Sequence, residues 1–325
     1  MTVPVHPQIQ VILDKMVELN VPAFSTLTPE QGRALMEMMV KARPQEPAPI
    51  ASFEARTIPG PAGEIPVNIY TPLEDDVSGD TDALPLLVYF HGGGHVIGSP
   101  DTHDSVGRNL CAGAGCKVVS VNYRKGPEHP FPAAVDDSYA ATVWCAENAA
   151  ELGIDANRIA VGGDSAGGNL ASVVALMARD ENGPSLCFQL LVYPVADYAC
   201  ASPSYDRFGK GYGILETETM EWFRDHYLGD ASKASDWRAS PLKAASHANL
   251  PPALVLTAEC DVLHDEGVAL ADAMVAAGTE VVKSDYPGMI HGFFTFTPVV
   301  DGAVEAQAEA SSALRKAFEA SYLAR

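Results

Sequence analysis

Basic residues are scarce in this sequence. Its 325 residues include 21 Lys and Arg against 42 Asp and Glu, which gives a formal net charge of −21. A strongly negative surface repels nucleic acid and anionic membrane faces, so we expect neither as a partner. No stretch approaches the roughly 20 apolar residues of a membrane helix. The N-terminal stretch MTVPVHPQIQVILDKM also lacks the basic and apolar regions of a signal peptide, so the composition predicts a soluble, cytoplasmic protein.

Closely spaced cysteines are also missing. The six cysteines are dispersed along the chain and form no Cys-x-x-Cys pair, which favours free thiols in a reducing compartment over a disulfide framework. His91, His95 and His103 lie close together in sequence, but no cysteine or carboxylate cluster joins them. Their spacing also differs from the helical His-Glu-x-x-His pattern, so we expect no metal site.

Short apolar runs alternate with helical stretches from residue 51 onward. The apolar runs are 51–58, 64–70, 86–90, 117–121, 158–161, 188–193, 253–257 and 280–286, and the helical stretches are about 101–114, 132–150, 166–180, 265–277 and 302–323. Strands that are separated by helices become parallel strands buried on both faces. The sequence therefore predicts an α/β fold with a mostly parallel, eight-stranded sheet flanked by helices.

Two segments fall outside this alternation. We call residues 1–50 the N-terminal arm and residues 194–250 the insertion; the helices expected within them are 8–19, 29–42 and 216–228. A long insertion after a strand usually serves function rather than plain connection. We expect the arm and the insertion to cap one end of a catalytic domain that is made of residues 51–193 and 251–325.

One serine lies among glycines in the stretch Gly163-Asp164-Ser165-Ala166-Gly167. The stretch fits Gly-x-Ser-x-Gly, in which small neighbours let a serine sit on a strained turn between a strand and a helix. A phosphate-binding glycine loop is the alternative, but neither Gly-Lys-Ser/Thr nor Gly-x-Gly-x-x-Gly is present. The expected strand before the turn and helix after it favour Ser165 as a nucleophile and Asp164 as its structural neighbour.

A glycine triplet, His91-Gly92-Gly93-Gly94, directly follows the apolar run 86–90. Such a loop is either merely flexible or turns backbone N–H groups toward a site where negative charge develops on a carbonyl oxygen. Its place upstream of the Gly-x-Ser-x-Gly turn is typical of lipases and esterases. We predict an oxyanion hole formed by the N–H groups of Gly93, Gly94 and Ala166, and a structural role for His91.

A nucleophilic serine needs a base, and the base needs an acid that orients it. In folds with this turn the chain order is serine, acid, histidine. His291 follows the last expected strand, and Asp261 follows the strand before it, so we assign them as base and acid. Asp265 is the alternative acid, although Asp265 and Glu266 both suit a capping role in the first turn of the next helix.

Further motifs accompany these residues. The set comprises HGGG at 91–94, YRKGPEHPFPA at 123–133, GDSAGG at 163–168, YPVAD at 193–197, DVLHDE at 261–266 and HGF at 291–293. From about residue 50 to the C-terminus the chain resembles the bacterial hormone-sensitive-lipase-like esterases, the family IV carboxylesterases of the α/β-hydrolase superfamily. The resemblance implies a serine carboxylesterase with Ser165 as nucleophile, His291 as base and Asp261 as acid. It also implies a two-part cap, frequent dimerisation and no cofactor.

Two positions depart from that family's pattern. Val262 stands where the family usually has proline, and we expect it to leave Asp261 in place. His95 stands where the family usually has an aromatic residue, and we expect it to change the wall near the oxyanion loop and with it the acyl or alcohol preference.

Aromatic residues in the arm and the insertion either wall a substrate pocket or pack within the cap's own core. The candidates are Phe24, Tyr198, Tyr205, Phe208, Tyr212, Trp222 and Phe223. A closed aromatic pocket suits esters of short or medium acyl chains. An amidase with the same three residues and a non-catalytic small-molecule binder remain alternatives, because the motifs do not encode the leaving group.

Overall fold

The computed structural model describes residues 3–77 and 83–323. Its strands are β1 (Ser52–Gly60), β2 (Gly63–Thr71), β3 (Leu84–Phe90), β4 (Lys117–Val121), β5 (Ile154–Asp164), β6 (Leu186–Val192), β7 (Ala253–Cys260) and β8 (Val281–Ile290). Its helices are α1 (Pro7–Glu18), α2 (Pro29–Ala42), α3 (Asp104–Ala114), α4 (Ala133–Glu147), α5 (Ala149–Leu152), α6 (Ala166–Asp180), α7 (Pro203–Phe208), α8 (Thr217–Leu228), α9 (His264–Ala276) and α10 (Asp301–Leu323). None of the helices in these ranges combines the length and apolar character that crossing a membrane requires.

All eight strands belong to one sheet with the order β1-β2-β4-β3-β5-β6-β7-β8. The pairs β1/β2 and β2/β4 are antiparallel, and the five other pairs are parallel. The predicted mostly parallel, eight-stranded α/β sheet is therefore confirmed. One expected helix, 132–150, is divided into α4 and α5, because Asn148 leaves the helical conformation and its side chain donates to the carbonyl of Trp144 at 2.9 Å.

The central strand β3 is shielded from solvent on both faces of the sheet. Leu86 to Phe90 in β3 are fully buried, as helices covering both faces of a parallel sheet require. The carboxyl ends of parallel strands meet at one edge, where α/β folds build their sites. Four segments singled out in the sequence start at that edge: the glycine triplet after β3, Ser165 after β5, Asp261 after β7 and His291 after β8.

The N-terminal arm and the insertion contact each other. In the arm, the Thr28 hydroxyl accepts the N–H of Gln31 and the Gln31 side chain accepts the N–H of Thr28, a reciprocal cap that starts α2. The ring of Phe24, in the arm, lies 6.3 Å from that of Phe223 in α8 of the insertion. A side-chain carbon placed on Gly32 of α2 would contact Trp222 of α8, so α2 and α8 approach closely.

Candidate active site

Ser165 occupies a strained turn between β5 and α6. Its φ of 57° and ψ of −119° lie in a region that residues with a side chain rarely adopt. Its N–H donates to the carbonyl of Val192 at 2.8 Å. A Cβ on Gly163 or Gly167 would lie 2.3 or 1.8 Å from the carbonyl oxygen of Phe90, so both positions require glycine. The two glycines thus let the turn close against β3 and hold the serine at the sheet edge.

Ser165, His291 and Asp261 form a continuous hydrogen-bonded chain. His291 Nε2 lies 2.8 Å from Ser165 Oγ, and His291 Nδ1 lies 2.7 Å from Asp261 Oδ2. The other carboxylate oxygen of Asp261 accepts the N–H of Leu263 at 2.9 Å, so Val262 does not displace the acid. All three side chains are buried. This arrangement can transfer the hydroxyl proton to the imidazole while the carboxylate orients the ring.

The alternative acid, Asp265, has other partners. Its Oδ1 accepts hydrogen bonds from Arg207 Nη2 at 2.6 Å and from His264 Nδ1 at 2.8 Å. Neither partner belongs to the chain of hydrogen bonds at Ser165. Of the two candidate acids, the structure therefore brings Asp261, and not Asp265, to His291.

Glu266 lies in the first turn of α9 but does not cap it. Its side chain is buried, and its Oε1 accepts the N–H groups of Ala196 at 2.8 Å and Asp197 at 3.3 Å. Burial raises the pKa of Glu266 well above its ordinary value. The capping interpretation is wrong for Glu266, which instead ties α9 to the segment that follows β6.

Two of the three predicted oxyanion donors belong to the cavity lining, and the third, Ala166, directly follows Ser165. Gly93 and Gly94 line the same cavity as Ser165 and His291. The carbonyl of Gly93 accepts the N–H groups of Val96 and Ile97, which closes the glycine loop into a tight turn. Within residues 3–77 and 83–323, the N–H groups of Gly93, Gly94 and Ala166 have no hydrogen-bond acceptor. These three donors are therefore free to bind an oxygen on the substrate.

Asp164 joins the serine turn to the glycine loop. Its Oδ1 accepts hydrogen bonds from the Tyr89 hydroxyl at 2.7 Å and from the Gly92 N–H at 3.0 Å, and its Oδ2 lies 3.4 Å from His103 Nε2. Burial alone would raise the pKa of Asp164, but His103 and Tyr89 outweigh it, so the pKa lies below its ordinary value. The sequence indicated a structural neighbour of Ser165, and its contact with the loop became visible only in the fold.

His95 does not form a wall of the cavity, so that expectation was wrong. Its ring is fully buried, lies 3.8 Å from the ring of Tyr227 in a stacked arrangement, and places Nδ1 2.7 Å from the Tyr198 hydroxyl. Burial lowers the pKa of His95 to about 3, so the ring is neutral. His95 thus fastens the glycine loop to the insertion through two buried tyrosines.

The cavity beside Ser165 has a volume of about 80 Å³ and a mainly apolar lining. Of the seven aromatic candidates, Phe24 and Phe223 line the cavity, whereas the five others are not among its lining residues. The insertion contributes further aliphatic side chains, and the arm contributes Met36 and Met39 from α2 and Arg43 directly after it. Sequence reasoning did not single out these three residues, although their helical spacing offered a signal.

Comparison with known proteins shows the family of this chain. A family model described as alpha/beta hydrolase fold matches residues 87–295. The chain belongs to this family. Within the α/β hydrolases it is similar to the carboxylesterase NlhH of Mycobacterium tuberculosis, with 40% identity over 97% of this chain and 98% of the relative. It is also similar to the ethyl acetate hydrolase of Pseudomonas putida, with 41% identity over 82% of each chain.

Solved α/β hydrolases share the whole architecture. The esterase of the hyperthermophilic archaeon Pyrobaculum calidifontis superimposes with a TM-score of 0.88 at 37% identity, covering 96% of this chain and 98% of that one. An α/β hydrolase from the metagenome of Lake Arreo superimposes with a TM-score of 0.91 at 39% identity, covering 97% of this chain and 99% of that one. The resemblance to hormone-sensitive-lipase-like esterases is therefore confirmed at the level of family and fold.

Proposed function

We propose that this chain, a carboxylic ester hydrolase by family, cleaves short- to medium-chain acyl esters through an acyl-enzyme formed on Ser165. The observation that carries the proposal is the hydrogen-bonded chain from Ser165 through His291 to Asp261, with spacings of 2.8 and 2.7 Å. A hydroxyl, an imidazole and a carboxylate in this order are the parts of a serine hydrolase.

The reaction proceeds in two steps. His291 takes the Ser165 proton as Oγ attacks the ester carbonyl, and the N–H groups of Gly93, Gly94 and Ala166 bind the oxyanion. The alcohol leaves with the proton from His291. Water, activated by the same imidazole, then releases the acid and restores the serine. Asp261 orients the ring and stabilises its protonated form. Each of these roles is carried by side chains and backbone groups of the chain itself.

The size of the cavity supports the preference for short chains. A volume of about 80 Å³ is small beside the roughly 300–1,000 Å³ of pockets that hold drug-sized ligands. The arm and the insertion both contribute lining residues, so we propose that residues 1–50 and 194–250 act together as the cap over a catalytic domain of residues 51–193 and 251–325. Phe24 and Phe223, one from each segment, lie where a lengthening acyl chain would meet a wall.

The test is hydrolysis of a series of p-nitrophenyl esters from acetate to decanoate by the wild-type chain and by Ser165→Ala. We expect a maximum at the short end and loss of turnover in the variant. Ser172→Ala is the matched control, because Ser172 lies in α6 and its buried hydroxyl has no partner within the described chain. An aryl ester compared with the corresponding anilide distinguishes an esterase from an amidase. Full activity of Ser165→Ala would overturn the mechanism.

We also propose a homodimer that uses the edge of the sheet. The outer edge of β8 pairs with no strand of the described chain, and Val282 on it is 55% exposed. An unpaired edge strand is a template for pairing with a second copy. Light scattering coupled to gel filtration tests this proposal, with Val282→Asp as the variant expected to yield monomers. A monomeric wild type would refute it.

The location that we propose is the cytoplasm, and the substrate is a small-molecule ester rather than nucleic acid or membrane. All six cysteines are free, and four of them are buried, which suits a reducing compartment. Fractionation of cells with an antibody against the chain tests the location.

A further inference from the structure

The arm meets the cavity at three positions. Met36 and Met39 are three residues apart on one side of α2, and Arg43 is the residue that directly follows the helix. All three line the cavity that contains Ser165 and His291. Met36 and Met39 are apolar, like most of the lining, whereas Arg43 is a cation.

Arg43 is held in place by the segment that follows His291. Its Nη1 donates to the carbonyl and to the hydroxyl of Thr295, both at 3.3 Å, and its guanidinium carbon lies 5.0 Å from the ring centre of Phe296. Nε donates to the carbonyl of Met39 at 3.4 Å, near the end of α2. The guanidinium is thus fixed between the arm and the loop that carries the candidate base.

The positive charge of Arg43 has no counter-ion among residues 3–77 and 83–323. No carboxylate lies within 4.0 Å of it in the part of the chain that the structure describes, whereas Arg33 pairs with Glu128 at 2.6 Å and Arg124 with Asp137 at 2.8 Å. Within the same residues, Nη2 of Arg43 has no acceptor, so two N–H donors are unused. Burial lowers the pKa of Arg43, because the charged guanidinium is partly removed from water and no described carboxylate offsets that cost.

The carboxylates at the cavity are already engaged. Asp164 binds Tyr89, Gly92 and His103, and Asp261 binds His291 and Leu263. Neither is available to Arg43. A ligand that carries a carboxylate would give Arg43 the counter-ion that residues 3–77 and 83–323 do not supply.

We propose that Arg43 selects esters that carry a carboxylate in their acyl or alcohol part, such as hemiesters of short dicarboxylic acids. This inference rests on the proposed ester hydrolysis and adds the substrate class. A guanidinium binds a carboxylate through charge-assisted N–H donors, and the unused Nη2 of Arg43 supplies such donors in an otherwise mainly apolar cavity. The surrounding methionines and aromatic rings strengthen such a pair, because they keep water and salt away from it.

The experiment compares kcat/KM for two matched pairs of esters, followed by proton release. Monoethyl glutarate against ethyl pentanoate places the carboxylate in the acyl part. 4-Acetoxybutanoate against butyl acetate places it in the alcohol part. The variants are Arg43→Met, which extends the methionine face, and Arg43→Lys, which keeps the charge without the fork. Lys41→Met is the matched control, because Lys41 lies on the same helix, is largely exposed and does not line the cavity.

In at least one pair we expect Arg43→Met to lower kcat/KM for the carboxylate ester at least tenfold, which is about 1.4 kcal/mol. For the neutral ester of the same pair, kcat/KM should fall less than twofold. Arg43→Lys should fall in between, and Lys41→Met should match the wild type. An equal fall for charged and neutral esters would assign Arg43 to folding of the arm and overturn the inference, as would no change in either pair. Failure of the wild type on neutral esters as well would instead refute the proposed hydrolysis.

Discussion

The carboxylate of Asp164 accepts the backbone N–H of Gly92 at 3.0 Å. Asp164 directly precedes the candidate nucleophile, and Gly92 directly precedes the two glycines that line the cavity. One buried hydrogen bond thus joins the turn that holds Ser165 to the loop that would hold the oxyanion. The bond adds to the pairing of β3 with β5, which already brings the starts of the loop and the turn together.

Asp164→Ala is expected to lower kcat by about 10–100-fold with a smaller change in KM, because a loosened loop weakens binding of the transition state more than binding of the ester. Asp164→Asn keeps an oxygen that can accept the Gly92 N–H and should lose less activity. Steady-state kinetics on a short ester measures both variants. Asp180→Ala, a half-exposed position at the end of α6, serves as control. Wild-type kcat in Asp164→Ala would contradict the role assigned to this bond.

The two candidate acids can be separated by amide substitution. Asp261→Asn is expected to lower kcat by about 10⁴-fold, the effect known for the corresponding change in serine proteases, because the amide holds the imidazole in the wrong tautomer. Asp265→Asn should stay within a few-fold of the wild type, since Asp265 binds Arg207 and His264 instead. A larger loss at 265 than at 261 would reverse the assignment.

Phe223 is expected to limit the length of the acyl chain. Its ring packs against Gly94, where a Cβ would lie 2.1 Å from it, and against Phe24 across the cavity. Phe223→Ala removes this wall, so the optimum in an ester chain-length series should move toward longer acyl groups. Phe208→Leu is the control, because Phe208 is a buried aromatic of the insertion that does not line the cavity. An unchanged optimum in Phe223→Ala would show that another residue sets the limit.

His264 should make the free energy of unfolding fall as the pH rises above neutrality. Hydrogen bonding to Asp285 and Asp265 raises the pKa of His264 to about 9. Because the fold favours the protonated ring, its stabilisation is complete below the ordinary pKa of about 6.5 and is lost as the pH rises through about 9. In urea unfolding, His264→Gln should cost on the order of 1–2 kcal/mol at pH 6 and much less at pH 9.5. A cost that does not change with pH would rule out this ion pair as its source.

Local patterns predicted the sheet and the residues that meet at its edge. The turn between β5 and α6 packs so closely that positions 163 and 167 must be glycine, and the loop after β3 restricts its glycines in the same way. The order of serine, acid and histidine then pointed to Asp261 and His291. Their catalytic roles stay predictions until the variants are measured, and so does the division into a catalytic domain and a cap.

Long-range contacts were beyond the reach of those patterns. The sequence indicated that His95 would change the wall near the oxyanion loop, but its ring contacts Tyr198 and Tyr227 of the insertion. The spacing of Arg43 from Met36 and Met39 could not show that its side chain is anchored at Thr295, 252 residues away. The spacing of residues shows which side chains share a face of one helix or strand. It does not show which distant segment packs against that face.

The sequence by itself determined the chemistry of this chain, because strained turns and backbone donors demand particular small residues at particular spacings. Only the tertiary structure decided which residues line the cavity beside Ser165. The lining of the cavity comes from an arm, a loop and an insertion that are far apart in the chain. Only the folded chain shows that no described carboxylate pairs with Arg43, whereas Arg33 and Arg124 each have one.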